Sequence, residues 1–205
     1  MTTIAGIQGD GYVVVAADTR ISSLDDSGNA YQISTLGSGS AKIAINGKYL
    51  LGAAGDMRAI NLLHHAFQPP APTVGLKGKR LDSFMTTKFI PALRSCFETH
   101  GYSVGTNNNN NTIAEQDSSI MVVINSTIYI VESDYSWTPE ASGLYATGTG
   151  APYALGALQV LVSGKKLSPA QAKAALLKAL QVSAKFDPYT GSPFNTYVQE
   201  SEKMK

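Results

Sequence analysis

Short apolar runs rich in β-branched residues recur along the chain, often in pairs that flank turn residues. The first pair occupies residues 3–7 and 12–17 and flanks Gly9-Asp10-Gly11. Because glycine tolerates the positive φ of tight turns, this pattern predicts a β-hairpin close to the first residue. The same pattern predicts two more hairpins and one single strand, at residues 42–45 with 49–54 around Asn46-Gly47, 119–125 with 127–131, and 144–147.

Helical spacing of apolar residues predicts four helices. The first follows Asp56, a favourable N-cap, and ends before Pro69-Pro70. Its apolar positions recur three to four residues apart, as one face of an amphipathic helix requires. The other three predicted helices are 82–99 with a break or kink near Pro91, 151–163, and 168–186 with a Ser168-Pro169 start.

The elements alternate in blocks of strands, two helices, strands and two helices. This order predicts an α+β protein in which two antiparallel sheets lie between helix layers. We see no internal repeat and no linker, and expect one domain over residues 1–205. Two polar stretches remain, residues 22–40 as a loop or an irregular strand and residues 103–117, with five consecutive asparagines, as a surface loop.

Composition narrows the function classes. Of the 205 residues 43% are hydrophobic and only 15% charged, and the net charge is +1, so neither disorder nor a basic nucleic-acid footprint is indicated. The single cysteine, Cys96, excludes an internal disulfide. No apolar run reaches the ~20 residues of a membrane helix and no signal peptide is visible, so we expect a cytoplasmic protein.

Several familiar motifs do not fit the chain. The segment 37–42 is glycine-rich but lacks the spacing of a P-loop, and the segment 148–152 lacks the third glycine of a dinucleotide fingerprint. A nucleophile elbow of the G-x-S-x-G type does not occur. The adjacent His64 and His65 point about 100° apart on a helix, which disfavours a shared metal. We therefore expect neither a metal nor a cofactor.

Thr2 offers a nucleophile and a base in one residue once Met1 is removed. The hydroxyl attacks, and the free α-amino group accepts its proton. An α-amino group has a pKa of ~7.7–8.0 against ~10.4 for lysine, so at neutral pH it is the better base. We expect removal of Met1, because threonine is a small residue and no upstream propeptide is visible.

Five segments, taken in order, resemble the proteasome β-subunit and HslV family of N-terminal threonine peptidases. Each segment is weakly specific alone, but together they run almost the length of the chain. The segments are 2–7 followed by 11 and 16–20 (AADTR), 42–43, 51–56 (LGAAGD), 148–156 (GTGAPYALG) and 184–191 (AKFDPYTG). The resemblance implies a four-layer αββα sandwich of the Ntn-hydrolase type.

The resemblance also implies a role for each matching residue. Thr2 is nucleophile and general base, and Asp18 pairs with Lys42, which lies beside the Thr2 hydroxyl. The Gly52 N–H supplies the oxyanion hole. The chain between Arg20 and Lys42 is longer than the family's usual spacing, so Lys48 is the alternative lysine. The residues expected to position the Thr2 amine are Thr149, where serine is more usual, Asp187 and Thr190.

Each of these residues also has an ordinary structural interpretation. Asp18 is also the expected ion-pair partner of Arg20 at a strand end, Lys42 a solvated strand lysine, and Asp187 the end of a helix before Pro188. A catalytically silent ring or scaffold subunit of the same fold is therefore the alternative to a peptidase.

The family further implies a substrate and partners. The substrate is an unfolded protein or peptide, hydrolysed inside stacked homo-oligomeric rings that an ATP-driven unfoldase feeds. Neither nucleic acid nor a membrane is an expected partner. The residues expected to line the specificity pocket are small or apolar, which favours apolar substrate side chains: Ile21, Ser40, Leu50 and Ala54.

Overall fold

The structure is a computed structural model, and it describes residues 2–25, 27, 30–37, 40–102 and 116–201. The strands in these ranges are β1 (Thr3–Gln8), β2 (Tyr12–Asp18), β3 (Arg20–Leu24), β4 (Ala30–Thr35), β5 (Ile43–Asn46), β6 (Tyr49–Ala54), β7 (Ser119–Ile124), β8 (Thr127–Val131), β9 (Trp137–Thr138), β10 (Leu144–Gly148) and β11 (Phe194–Glu200). The helices are α1 (Met57–His65), α2 (Lys79–Phe84), α3 (Ile90–Thr99), α4 (Ala151–Val162) and α5 (Pro169–Phe186), and a π-helical segment (Met85–Phe89) joins α2 to α3.

The strands form two antiparallel sheets and a separate hairpin. The first sheet has the order β10-β1-β2-β11, and the second has the order β5-β6-β7-β8-β9. The hairpin consists of β3 and β4 alone. The longest apolar runs, in β2 and β7, lie in interior strands, and their residues are buried almost without exception on both faces.

Three apolar clusters separate four layers. Ile4, Val15 and Met121 belong to the cluster between the two sheets. The outer face of the first sheet packs on α4 and α5 through residues such as Leu158 and Leu176. The outer face of the second sheet packs on α1 and on the α2–α3 run. The predicted αββα sandwich is therefore confirmed.

The three predicted hairpins are confirmed as β1–β2, β5–β6 and β7–β8. Gly11 and Gly47 have φ values of 76° and 58°, as their turns require. The turn between β7 and β8 instead uses Asn125 and Ser126 at φ 50° and 59°. The capping box at the start of α5 is also present, with Ser168 and Gln171 bonding each other's backbone N–H.

The structure differs from the sequence predictions in four places. In the stretch 22–40, predicted as a loop or an irregular strand, β3 and β4 pair as a hairpin whose register shifts between Ser23 and Leu24. Strands β9 and β11 were not predicted. The second helical run begins at Lys79 and continues past Pro91 without a break, with the π-helical segment directly before α3. A π turn accommodates the missing N–H of a proline without ending the helix. Of the predicted loop 103–117, residues 103–115 lie outside the described residues.

The only tryptophan of the sequence, Trp137, lies at the edge of the second sheet. Its ring meets Tyr129 edge-on at 5.0 Å, and its indole N–H donates to the Thr86 hydroxyl at 3.3 Å. Trp137 thus belongs to the layer between the second sheet and the α2–α3 run. Within the described ranges no helix has the length and apolarity to cross a membrane.

Candidate active site

Several strand ends meet at one end of the sandwich. In the first sheet Thr3 pairs with Gly148, and Asp18 pairs with Phe194. In the second sheet the Ala53 N–H donates to the Lys42 carbonyl, next to the start of β5. The loop that follows α5 reaches the same place, because the Thr19 N–H donates to the Gly191 carbonyl. This convergence collects polar residues that lie far apart in the sequence.

Asp18 is fully buried and its carboxylate accepts four hydrogen bonds. The Oδ1 atom accepts from the Lys42 amino group at 2.7 Å and from the Thr3 N–H at 3.0 Å. The Oδ2 atom accepts from the backbone N–H groups of Arg20 and Gly191, both at 3.1 Å. Asp18 therefore ties β1, β3, the start of β5 and the loop after α5 to one carboxylate.

Lys42 is 1% exposed and forms the ion pair with Asp18, so it is not a solvated strand lysine. Burial lowers the pKa of the Lys42 amino group, and pairing with Asp18 opposes that effect. The alternative lysine, Lys48, is exposed in the turn between β5 and β6, at the opposite end of the sandwich. The geometry therefore favours Lys42 as the lysine of the site.

A second carboxylate, Asp187, gathers hydroxyl groups next to the first. Its Oδ2 atom accepts from the hydroxyls of Thr149 at 2.8 Å and Thr190 at 2.5 Å, and its Oδ1 atom accepts from the Tyr189 N–H at 3.2 Å. The Thr3 hydroxyl lies 2.5 Å from that of Thr190. The three residues expected around the Thr2 amine thus form one cluster, and its nearest contact with β1 is the side chain of Thr3.

Thr2 lies directly before β1 and is 3% exposed. Its carbonyl oxygen is so close to Gly148 that a Cβ at that position would overlap it. Gly148 also has a φ of 94°, which favours glycine. A Cβ on Gly148 would lie 3.3 Å from that of Ala54, so Thr2, Gly148 and Ala54 are neighbours across the gap between the sheets.

The N–H of Gly52 is in the wrong place for an oxyanion hole. Gly52 lies in β6, an interior strand, between Ile43 of β5 and Met121 of β7. Its backbone groups therefore belong to the sheet ladder. The ladder ends at the Ala54–Ser119 pair, and the next residue, Gly55, is exposed with a φ of 144°. Gly55 is the glycine of the strand-to-helix turn, and the motif LGAAGD contains both glycines.

The four expected pocket residues are not all together. Ala54 lies beside Thr2, as above, Ile21 is half-buried in β3, and Ser40 is exposed shortly before Lys42. Leu50 lies four residues along β6 from Ala54, roughly 13 Å away at the rise of a β-strand. It packs between the sheets and lines a cavity at the other end of the sandwich. We therefore exclude Leu50 from the pocket.

Two residues of the site were assigned no role in it from the sequence. Thr3 contacts both carboxylate clusters, as described above. Arg20 donates from its guanidinium to the Pro188 carbonyl at 2.7 Å, and a Cβ on Gly191 would overlap that guanidinium. Arg20 therefore anchors the loop after α5, while its backbone N–H serves Asp18. Thr3 lies in the segment 2–7, Arg20 in AADTR, and the residues that Arg20 contacts in AKFDPYTG. The meeting of these segments at one end of the sheet is the signal that could have identified both residues.

Fold and site together define an αββα sandwich with a buried threonine at the start of its first strand. The chain is similar to two structures of Thiobacillus denitrificans BPH, a bacterial proteasome homologue. The BPH complex with epoxomicin is 20% identical, with 98% of this chain and 100% of that chain covered and a TM-score of 0.73. The other BPH structure is 21% identical, with 98% and 99% covered and a TM-score of 0.71.

The chain is also similar to eukaryotic HslV from Trypanosoma brucei. That structure is 18% identical, with 97% of this chain and 99% of that chain covered and a TM-score of 0.63. No family model and no curated protein matches the sequence. The resemblance to the proteasome β-subunit and HslV family is thus confirmed, and at these identities it is a likeness of fold.

Proposed function

We propose that the protein is an N-terminal threonine peptidase that hydrolyses peptide bonds of unfolded proteins or peptides. The observation that carries the proposal is the sharing of one Asp18 oxygen by the Lys42 amino group and the Thr3 N–H. That arrangement puts a buried cation beside the peptide unit that follows Thr2. A buried lysine and carboxylate of this kind are costly to keep for stability alone.

The first chemical step is attack by the Thr2 hydroxyl on the substrate carbonyl carbon. The hydroxyl proton passes to the free α-amino group of Thr2, which exists only after Met1 is removed. The positive charge of Lys42 favours the developing alkoxide. The amine then gives its proton to the leaving nitrogen, and water hydrolyses the resulting ester.

The negative charge on the substrate oxygen needs an N–H donor outside the sheet ladder. Gly55 offers such a group, because it directly follows the last paired residue of β6 and lies next to Ala54, a neighbour of Thr2. We assign it the oxyanion role in place of Gly52. Ile21, Ser40 and Ala54 are the proposed pocket residues, and their small or apolar side chains favour apolar substrate residues.

We extend the proposal to assembly and location. Stacked homo-oligomeric rings would enclose the sites, and an ATP-driven unfoldase would supply polypeptide, in the cytoplasm. The likeness to BPH and HslV supports this part of the proposal through the shared fold alone. The alternative, a silent ring subunit, has the same assembly but no turnover.

Labelling with epoxomicin tests the proposal, because BPH is known in complex with it. A peptide epoxyketone needs both the hydroxyl and the free amine of an N-terminal threonine. We expect one label per chain that begins at Thr2, and peptide turnover in proportion to the fraction of such chains, measured by intact mass on the same samples.

Matched variants complete this test. Thr2→Ala should take no label, whereas Thr127→Ala, at the far end of the sandwich, should label like the unaltered protein. Assembled protein without Met1 that neither labels nor cleaves a peptide library is the result that supports the silent subunit. Full activity with Met1 uniformly retained would exclude the Thr2 amine as the base.

A further inference from the structure

We propose that Thr3 is a positioning residue whose hydroxyl links the start of β1 to the Asp187 cluster and so holds the Thr2 nucleophile in place. The inference rests on the proposed function and deepens it. The Asp187 cluster consists of Asp187, Thr149 and Thr190, and its contact with the start of β1 is made by the side chain of Thr3. In this arrangement the cluster holds the nucleophile through its neighbour.

The direction of each hydrogen bond follows from counting protons. Each threonine hydroxyl has one proton to donate, and Thr190 donates its proton to Asp187. The Thr190 oxygen can then only accept from Thr3, so the Thr3 hydroxyl is the donor in the 2.5 Å contact. The chain of donors therefore runs from Thr3 through Thr190 to the Asp187 carboxylate. A methyl group in place of the Thr3 hydroxyl leaves the Thr190 oxygen buried without that donor.

The space for this contact is made by the absence of a side chain at Gly150. A Cβ at Gly150 would overlap the Thr3 hydroxyl and would lie 2.8 Å from the Thr190 hydroxyl and 2.9 Å from the Asp187 Oδ2 atom. Gly150 has a φ of −87° and a ψ of 3°, which other residues adopt. Glycine is therefore required here by space, not by backbone conformation.

The backbone of Thr3 is fixed as firmly as its side chain. Its N–H donates to the Asp18 oxygen that also accepts from Lys42, and its strand partner is Gly148. The Thr2 carbonyl lies against that same glycine. The peptide unit between Thr2 and Thr3 is thus held by Asp18, by Gly148 and, through the Thr3 hydroxyl, by Asp187. Loss of the hydrogen bond between the Thr3 and Thr190 hydroxyls therefore lets the Thr2 hydroxyl and amine move relative to Lys42.

The test compares Thr3→Val with Thr3→Ser in protein that begins at Thr2. Valine keeps the shape and the β-propensity of threonine but has no hydroxyl, whereas serine keeps the hydroxyl. We expect Thr3→Val to lower kcat by about 10- to 100-fold, the scale of a misplaced reacting group, with KM changed by less than about threefold. Thr3→Ser should restore most of kcat, and the rate of epoxomicin labelling should follow kcat.

A readout independent of turnover is the periodate oxidation of Thr2. Periodate cleaves an N-terminal threonine only when its hydroxyl and amine lie side by side. Thr2 is 3% exposed, so we expect the oxidation rate at folded Thr2 to rise in Thr3→Val, where a loosened Thr2 is more often open to the reagent, and to return in Thr3→Ser. A merely structural role would lower the melting temperature of Thr3→Val without moving this rate.

A double-mutant cycle checks the contact itself. Gly150→Ala alone should lower kcat, because the added methyl group displaces the Thr3 hydroxyl. In a Thr3→Ala background the clash with that hydroxyl is gone and only the close contacts with Thr190 and Asp187 remain, so Gly150→Ala should lower kcat by a smaller factor than it does in the unaltered protein. Strictly additive effects would overturn the proposal.

Two outcomes separate this inference from the proposed function. A Thr3→Val protein with unaltered kcat, labelling and periodate rates would overturn the positioning role while leaving the peptidase intact. An unaltered protein that neither turns over peptide nor labels would overturn the peptidase. The periodate comparison would then still decide whether Thr3 positions Thr2.

Discussion

After Thr2 itself, Lys42 is the residue on which the proposed chemistry depends most directly. Replacing it with methionine keeps length and bulk but removes the charge beside the Thr2–Thr3 peptide. We expect Lys42→Met to lower peptidase turnover by about 10²–10⁴-fold, as for other positioned proton-transfer or charged groups. The measurement is kcat on a short peptide with assembled protein.

Lys42→Met also tests the buried ion pair as a source of stability. Breaking such a pair typically costs roughly 3–5 kcal/mol, and three backbone N–H donors that remain on Asp18 should reduce that cost. Lys48→Met is the matched control, because Lys48 is exposed at the far end of the sandwich. Loss of activity in the control instead would transfer the role to Lys48.

Single residues were predictable where the sequence motifs fix their position in a strand end or loop. Asp18 and Asp187 are examples, since Asp18 is the last residue of β2 and Asp187 directly follows α5. Gly52 and Gly55 were not separable, because LGAAGD does not say where the ladder ends. Thr3 was missed because its partners come from residues 18 and 190, and only the folded sheet end brings these together.

The capping box of α5 gives a test at the level of one element. Ser168 accepts from the Gln171 N–H, and the Gln171 side chain accepts from the Ser168 N–H. Ser168→Ala removes one half of this exchange, so we expect a loss of about 1 kcal/mol and a melting temperature lower by about 2–4 °C. Turnover should not change, because the cap lies at the far end of α5 from Asp187.

Ser163→Ala is the companion variant for this prediction. Ser163 follows the last turn of α4, and its backbone N–H, which Ser163→Ala keeps, donates to the Gln159 carbonyl. A drop in melting temperature as large as that of Ser168→Ala would show that the capping box adds nothing specific to α5.

Elements with a fully buried face were predictable, and elements without one were not. In β4, Tyr31 and Ile33 alternate with polar residues, yet their side chains are 70% and 57% exposed. This alternation therefore does not mark a strand face that packs on the core. In β11 the apolar residues Phe194, Tyr197 and Val198 do not alternate, and the strand exists because it pairs with β2 along its whole length. Pairing with a distant strand leaves no local mark in the sequence.

At the scale of the whole molecule, buried tyrosines set the alkaline limit of stability. Burial raises the pKa of Tyr49 and of Tyr129, and raises that of Tyr135 to about 12. The ordinary value is about 10, so above pH 10 the unfolded chain releases protons that the folded protein keeps. The stabilisation is therefore fully present below about pH 10. Between about pH 10 and 12 the free energy of unfolding should fall by roughly 1.4 kcal/mol per pH unit for each of these tyrosines.

Tyr135→Phe isolates one of these contributions. The Tyr135 hydroxyl is buried and makes no hydrogen bond with the described residues, so its removal should not destabilise the protein at neutral pH. Urea unfolding at a series of pH values should show a shallower alkaline decline for this variant. An unchanged pH dependence would contradict the assignment of that decline to buried tyrosines.

The layered architecture was predictable because the blocks of strands and helices each bury one continuous apolar face. The order of elements is enough to place helices outside two sheets. The same order leaves the contacts between layers unspecified, such as the approach of Gly148 to Thr2. The likeness to BPH and HslV at 18–21% identity shows how few particular side chains this arrangement requires.

The position of Trp137 determines what intrinsic fluorescence can report. Its indole contacts Tyr129 and Thr86, so its emission senses the helix layer on the second sheet. The layer formed by α4 and α5, with the Asp187 loop, has no such chromophore, since the sequence contains one tryptophan. An emission change that precedes the loss of epoxomicin labelling during unfolding would therefore mean that the outer edge of the second sheet opens while the nucleophile is still in place.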